Sequence, residues 1–238
     1  MVAMARTSGQ AANRFTVVSG IRASARPPAR PKPAPSAEIG PLAAIASPAS
    51  FAPGTTILME GDAADHLFRI VSGVVKVHRT LADGRCQITG FLFPGDFIGL
   101  APEDVYLSSA VAVGPVTTSR FPRKKVEQLV EVSPLVARLL LRRTCSELIA
   151  AQDQMLLLGR KTASEKVASF LRLIAQRLQD EDITLPMTRV DIADYLGLTI
   201  ETVSRTLTLM RADGVIQVDR AHIRIMRGAE LDALAECA

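Results

Sequence analysis

The chain has 238 residues, 48% of them hydrophobic and 22% charged, which is enough to bury a sizeable core and to divide into two folded domains. No apolar run reaches the roughly 18 residues that span a bilayer, and the N-terminus shows no apolar export core, so neither a spanning helix nor an export signal is expected and the cytoplasm is the expected compartment. The net charge of +4 asks for an anionic partner, and three widely separated cysteines, Cys86, Cys145 and Cys237, without a CxxC pair exclude a disulfide framework or a zinc ribbon and read as buried or idle thiols.

Residues 1 to 45 form the first segment. Arg6, Arg14, Arg22, Arg26, Arg30 and Lys32 stand against Glu38 over residues 1 to 40, a net of +5 that leaves the rest of the chain near −1. The stretch ARPPARPKPAP at 25 to 35 is too rich in proline, arginine and alanine to pack. A disordered basic tail is expected, with nothing to offer an anionic partner beyond charge contacts.

From 46 to 131 the texture changes. Gly61, Gly73, Gly84 and Gly95 recur every 11 or 12 residues in EGD, VSG, ADG and PGD, between the apolar runs HLFRIV, VVKVHRTL and CQITGFLF. Turn residues at that period predict a train of antiparallel strands forming a β-barrel or jelly roll, a fold that can enclose a ligand.

Over 132 to 159 the sequence predicts one long helix, with Ser133 as N-cap, Pro134 in the first position and no breaker before Gly159. Leu135, Leu139, Leu148 and Met155 form an apolar stripe longer than a small barrel covers. Pairing with the same helix of a second copy is therefore expected, and the alternative is a helix packed wholly within its own chain.

The last segment, 160 to 238, opens with a capping box at Thr162 and Glu165. Thr188 caps a helix through Tyr195, Gly197 supplies a left-handed turn, Thr199 caps the next helix, and Gly214 opens a hairpin holding VIQV and HIRIM. Two short helices, a glycine turn and a β-wing make a winged helix-turn-helix. The expected class is thus α+β: an N-terminal β-barrel or jelly-roll sensor-like domain, a long dimerisation helix and a C-terminal winged helix-turn-helix.

In the second helix of the pair, Val203, Leu207 and Met210 recur at the spacing of a buried stripe, which puts Glu201, Ser204, Arg205 and Thr208 on the opposite side. Such a helix enters the major groove by its N-terminal end. Arginine can donate two parallel hydrogen bonds to guanine, glutamate can accept from a cytosine or adenine amino group, and serine fits a polar edge or a thymine methyl region. The alternative is a surface ion pair between Glu201 and Arg205, worth a few tenths of a kcal/mol. Thr188, Arg189 and Thr199 at the two helix starts complete the expected DNA-contacting set.

The order of these segments, with PGDFIGL at 94 to 100 and DIADYLGLTIETVSRTL at 191 to 207, resembles the CRP/FNR family of bacterial transcription regulators over roughly 45 to 235. Glu-x-x-Ser-Arg at 201 to 205 is similar to the FNR and FixK branch. That resemblance implies a homodimer joined by the long helix, a TTGAT-type half-site read twice in a palindrome, contact with RNA polymerase, and gene control tied to low oxygen or nitrogen oxides.

The departures from the family's pattern bear on the signal. Where the cyclic-AMP receptor branch has an Arg-Ser pair for the phosphate, this chain has Ser108 and Ser109, and Arg120 and Arg123 lie beyond that cassette. The FNR cluster is held by N-terminal cysteines, and none precedes Cys86 here. No cofactor or metal is therefore expected. His66 and His78 in the barrel segment are the possible haem ligands, and Cys145 on the long helix is the thiol placed to report oxidation. No phosphate loop, nucleophile elbow or His-rich metal motif is present, so the chain is not read as an enzyme.

Overall fold

A computed structural model describes residues 39–101 and 104–236. Most of the basic tail lies outside the described residues, as does Cys237. The tail is shorter than expected, because Gly40–Ile45 form a 3-10 turn in which Leu42 is fully buried. Leu42 and Ile39 pack with Phe121, Val126 and Val136, an apolar anchorage too sparse in sequence to declare itself.

Eight strands follow: β1 (Ser47–Phe51), β2 (Thr56–Leu58), β3 (His66–Ser72), β4 (Val75–Thr80), β5 (Cys86–Leu92), β6 (Phe97–Ile98), β7 (Ser109–Ala112) and β8 (Val116–Pro122). They make two four-stranded antiparallel sheets, ordered β1-β8-β3-β6 and β2-β7-β4-β5, a jelly-roll sandwich rather than one closed barrel. Between the sheets lie Phe68, Ile70, Val75, Ile98, Ala110 and Val116. The four spaced glycines all have positive φ, between 83° and 98°. At Gly73 the requirement is double, since a Cβ would also lie 2.3 Å from the Pro115 carbonyl oxygen.

Helix α1 (Arg123–Val132), which the sequence reading did not separate, precedes α2 (Pro134–Arg160). Ser133 occupies the N-cap of α2, but its side chain makes no capping bond. One face of α2 packs on its own chain through Val136, Leu139, Leu140 and Leu157, and Arg143 lies over the Phe97 ring at 5.9 Å. Leu139 therefore leaves the expected dimer stripe: helical rotation turns it toward Phe97 and Phe121. The other face carries Leu141, Leu148 and Met155, seven residues apart and 63%, 60% and 72% exposed. Leu135 is also exposed, and so is Cys145, which of the two readings, buried or idle, leaves the second.

The C-terminal part contains α3 (Ala163–Leu178), β9 (Asp182–Thr184), α4 (Arg189–Leu196), α5 (Ile200–Ala212), β10 (Ile216–Asp219), β11 (His222–Ile225) and α6 (Gly228–Glu236). The capping box of α3 forms as expected, with Glu165 accepting from the Thr162 N–H at 2.8 Å. Strands β10 and β11 are the wing, and β9 joins them on the β11 side as an unforeseen third strand. No helix among the described residues is long and apolar enough to cross a membrane.

Candidate nucleic-acid interface

Helix α5 is built as its sequence demands. Thr199 caps it, its Oγ1 accepting from the Thr202 N–H at 3.2 Å, and Gly197 ends α4 in the left-handed conformation at φ 60°. Val203, Leu207 and Met210 are buried, each burial contributing roughly 1.5–3 kcal/mol that fixes the helix rotation. That rotation leaves Glu201, Ser204, Arg205 and Thr208 exposed together on one face.

Hydrogen bonds determine which of these groups are available to a base edge. Thr208 Oγ1 donates to the Ser204 carbonyl oxygen at 2.9 Å, so its proton is committed to the helix. Thr188 is committed more fully: its hydroxyl donates to Asp191 Oδ2 at 2.7 Å and accepts from the Asp191 N–H at 3.1 Å. Arg189 points to the wing, where its Nη2 donates to the Arg220 carbonyl oxygen at 2.9 Å. The surface ion pair between Glu201 and Arg205 does not form among the described residues. Bonding at the helix start, from its own backbone N–H and then from Thr199, holds the Glu201 carboxyl below the usual range, and Arg205 acts on it only through charge. Glu201 is thus an ionised acceptor and Arg205 a donor fork on the same exposed face.

The sequence reading missed how α4, the first helix of the motif, is fixed to the sandwich. Lys76 of β4 pairs with Asp191 at 2.6 Å, and Gln87 of β5 donates to the Asp194 carbonyl oxygen at 2.6 Å. Phe91, Phe170 and Tyr195 form an aromatic triad with centroids 5.4–6.1 Å apart. From α2, Gln154 Nε2 donates to the Tyr195 carbonyl oxygen at 2.8 Å. A signal for this contact exists in the run Phe91-Leu92-Phe93. Leu92 turns into the sandwich while Phe91 and Phe93 join the DNA-binding core, and a strand apolar on both faces needs a partner on each.

Asp191 therefore serves two elements, capping α4 and holding β4. Burial raises its pKa, but the bonds from Lys76 and Thr188 outweigh that and the net direction is down. A lowered carboxylate contributes stability that is present above the ordinary aspartate pKa of about 3.9 and is lost as pH falls through the lower folded value. Replacing Lys76 with Met is expected to cost about 1–3 kcal/mol at neutral pH, since it leaves a buried carboxylate without its cation. That deficit should narrow below about pH 4. Urea unfolding of both proteins across pH checks this, and equal midpoints at neutral pH would contradict it.

The groups singled out as sensors are dispersed. His66 lies on β3 in one sheet and His78 on β4 in the other. The Tyr106 hydroxyl donates to the His66 carbonyl oxygen at 2.8 Å, and burial followed by the Lys76 charge lowers the His78 pKa. Among the described residues no three His, Cys, Asp or Glu side chains are grouped to hold a metal ion. At the cassette where a cyclic phosphate would need a guanidinium stand Ser108 and Ser109, and Ser109 Oγ already accepts from the Glu60 N–H at 3.0 Å. Arg120 bonds Ser47, and Arg123 pairs with Glu127 at 2.7 Å. Cys86 is exposed too, and partial burial followed by the Asp194 charge pushes its thiol pKa up, away from reactivity.

Two family models match the chain, a cyclic nucleotide-binding domain over residues 48–133 and a Crp-like helix-turn-helix domain over residues 165–234. The nitrogen fixation regulation protein FixK of Bradyrhizobium diazoefficiens is 40% identical over 190 residues, 78% of this chain and 80% of that protein. The transcriptional activator protein FnrL of Cereibacter sphaeroides is 38% identical over 206 residues, 82% of this chain and 83% of that protein. The chain belongs to the CRP/FNR family. It is a DNA-binding transcription regulator and not an enzyme. The FixK2 structure from Bradyrhizobium japonicum superimposes with a TM-score of 0.78 at 37% identity, covering 82% of this chain and 99% of that one. The matched helix-turn-helix domain contains both α4 and α5.

Proposed function

We propose that the protein is a cytoplasmic, homodimeric transcription activator that reads a TTGAT-type half-site twice in a palindrome and touches RNA polymerase at its promoters. The observation that carries this is the exposed Glu201, Ser204 and Arg205 face of α5, whose order matches the FNR and FixK branch. The names of the relatives, a nitrogen fixation regulation protein and a transcriptional activator protein, support activation, and the resemblance to the FNR and FixK branch suggests low-oxygen or nitrogen-oxide responses. The exposed row Leu141, Leu148 and Met155 supports a dimer formed through α2. Separation of His66 and His78 on two sheets, together with Ser108 and Ser109 in place of an Arg-Ser pair, supports a regulator that works without haem or cyclic nucleotide.

Binding-site selection from random duplex DNA tests the reading. Inverted TTGAT half-sites are the expected product, and enrichment of TGTGA would overturn the assignment. The same protein, purified without oxygen, should lack Soret and iron-sulfur absorption; either band would refute operation without a cofactor.

A further inference from the structure

We propose that Arg189 is a positioning residue that sets the wing against the recognition helix α5, acting on DNA through the wing rather than by touching it. This rests on the DNA-reading assignment above and deepens it. Arg189 is the first residue of α4, one position after the Thr188 cap. Its side chain does not lie along the open face of the motif. Nη2 donates to the carbonyl oxygen of Arg220 at 2.9 Å. Arg220 stands in the β10–β11 turn at φ 56°, one of two described non-glycine residues in the left-handed region. Nη1 is closed off from solvent and has no hydrogen-bond partner among the described residues. Burial also lowers the pKa of the group, as expected of a cation shielded from water.

The guanidinium lines a cleft of about 190 Å³ with Ser204, Leu207, Thr208 and Arg211 of α5 and Val218 of the wing. Arg189 thus ties the start of α4 to the wing turn, beside a cleft that α5 also lines. Strand β11 is held along its length, from His222 beside the turn, by the β9 pairing and by Asp182 with Arg224 and His222. The turn is held by two bonds, the Leu185 N–H to the Ala221 carbonyl oxygen at 2.9 Å and Arg189 to Arg220. In this arrangement Nη1 is covered and one of the two Nη2 N–H groups is spent on the wing turn, so the guanidinium is committed first to the protein. What Arg189 fixes is the spacing between the wing turn and α5, and two rigid elements must hold that spacing to dock on one stretch of duplex.

The test uses the full chain carrying Arg189→Met, on the palindrome that the wild type selects. Three readouts are taken: affinity across salt concentrations, hydrogen exchange of wing amides 217–222 in the free protein, and exchange of α3 as a folding control. The expected result is affinity lowered about tenfold, the loss of one hydrogen bond to a charged group. Wing exchange should rise while α3 exchange and the salt slope stay as in the wild type. A slope reduced by about 0.9 per half-site, the mark of a lost phosphate contact, would overturn the proposal. Unchanged affinity or unchanged wing exchange would overturn it equally. If the methionine variant loses α3 protection, Arg189→Lys decides the matter. Wing exchange and affinity moving together uphold the brace, and loosened wing amides with wild-type affinity reject it. Failure of the wild type to discriminate its palindrome from scrambled DNA would instead reject the DNA-reading assignment, so the two failures are distinguishable.

Discussion

Replacing Leu148 with Asp is expected to give a monomer and to weaken binding to a two-half-site duplex by at least about a hundredfold. Helix α2 is 27 residues long, about 40 Å at 1.5 Å per residue. Its inner face is already occupied by the sandwich, the 3-10 turn and α4. Leu141, Leu148 and Met155 remain exposed at intervals of seven, the period at which a helix meets a twin along a seam. Leu148 is the middle member, so in a symmetric pair the two copies of it face a shared apolar seam. Covering each leucine is worth roughly 1.5–3 kcal/mol. The substitution removes that burial twice and places two carboxylates in the seam. A monomer can occupy one half-site at a time, and the loss of a tethered second site is what reduces affinity by a factor of about 10² to 10⁴. Sedimentation velocity and gel shift on the same preparations measure both effects. A Leu148→Asp protein that sediments as a dimer would remove α2 from the interface. The comparison with Leu139→Asp is informative, because Leu139 packs against its own chain. That variant should lose thermal stability, by about 2–5 kcal/mol as a core disruption, whether or not a partner is present.

The contrast between Leu139 and Leu148 also shows where sequence reasoning reaches its limit. Signals that act within a few residues were readable and recur in the structure. They include the Thr162, Thr188 and Thr199 caps, the left-handed Gly197, the turn glycines, and the Val203, Leu207 and Met210 stripe. Each is a local solution to an orphan N–H, a forbidden φ or a 3.6-residue period. What was not readable depends on partners far away in the chain. Whether a leucine of α2 faces inward is decided by Phe97 and Phe121, and whether Arg189 is open to solvent is decided by Arg220. The Lys76–Asp191 pair joins residues 115 positions apart, and nothing near either one announces the other. Residues 39–45 were absorbed into the tail because a 3-10 turn with two anchoring apolar side chains leaves no periodic trace. The exposed polar face of α5 was legible for the opposite reason, since Glu201, Ser204 and Arg205 sit within five consecutive positions of one amphipathic helix.

Replacing Arg205 with Ala is expected to cost about 1–3 kcal/mol per half-site and to relax selectivity at one guanine. Arg205 is exposed on the face of α5 opposite Val203 and Leu207, and neither Glu201 nor another acidic side chain among the described residues holds it in an ion pair. Its fork is available to guanine O6 and N7 without first breaking a contact in the protein. Both half-sites of a palindrome lose the fork, so the total effect is about 2–6 kcal/mol, or roughly 30-fold to 10⁴-fold. On the proposed reading Arg205 takes the guanine shared by both half-site types, and the preference between them rests on its neighbours. Ile200 is the first residue of α5 and is exposed, so an arginine fits there without repacking the core. Ser204 is exposed one position before Arg205, and its hydroxyl offers the thymine side of the proposed half-site a contact that glycine cannot make. Ile200→Arg together with Ser204→Gly should therefore move preference from TTGAT toward TGTGA. Glycine within α5 costs roughly 0.5–1 kcal/mol of helix stability, so overall affinity falls somewhat while the ranking of sites reverses. Selection on the wild type, Arg205→Ala and the double variant reads all of this in one format. An Arg205→Ala protein that keeps the same guanine preference would transfer base reading away from this face of α5. A double variant that still ranks TTGAT first would show that Ile200 and Ser204 do not set the branch preference.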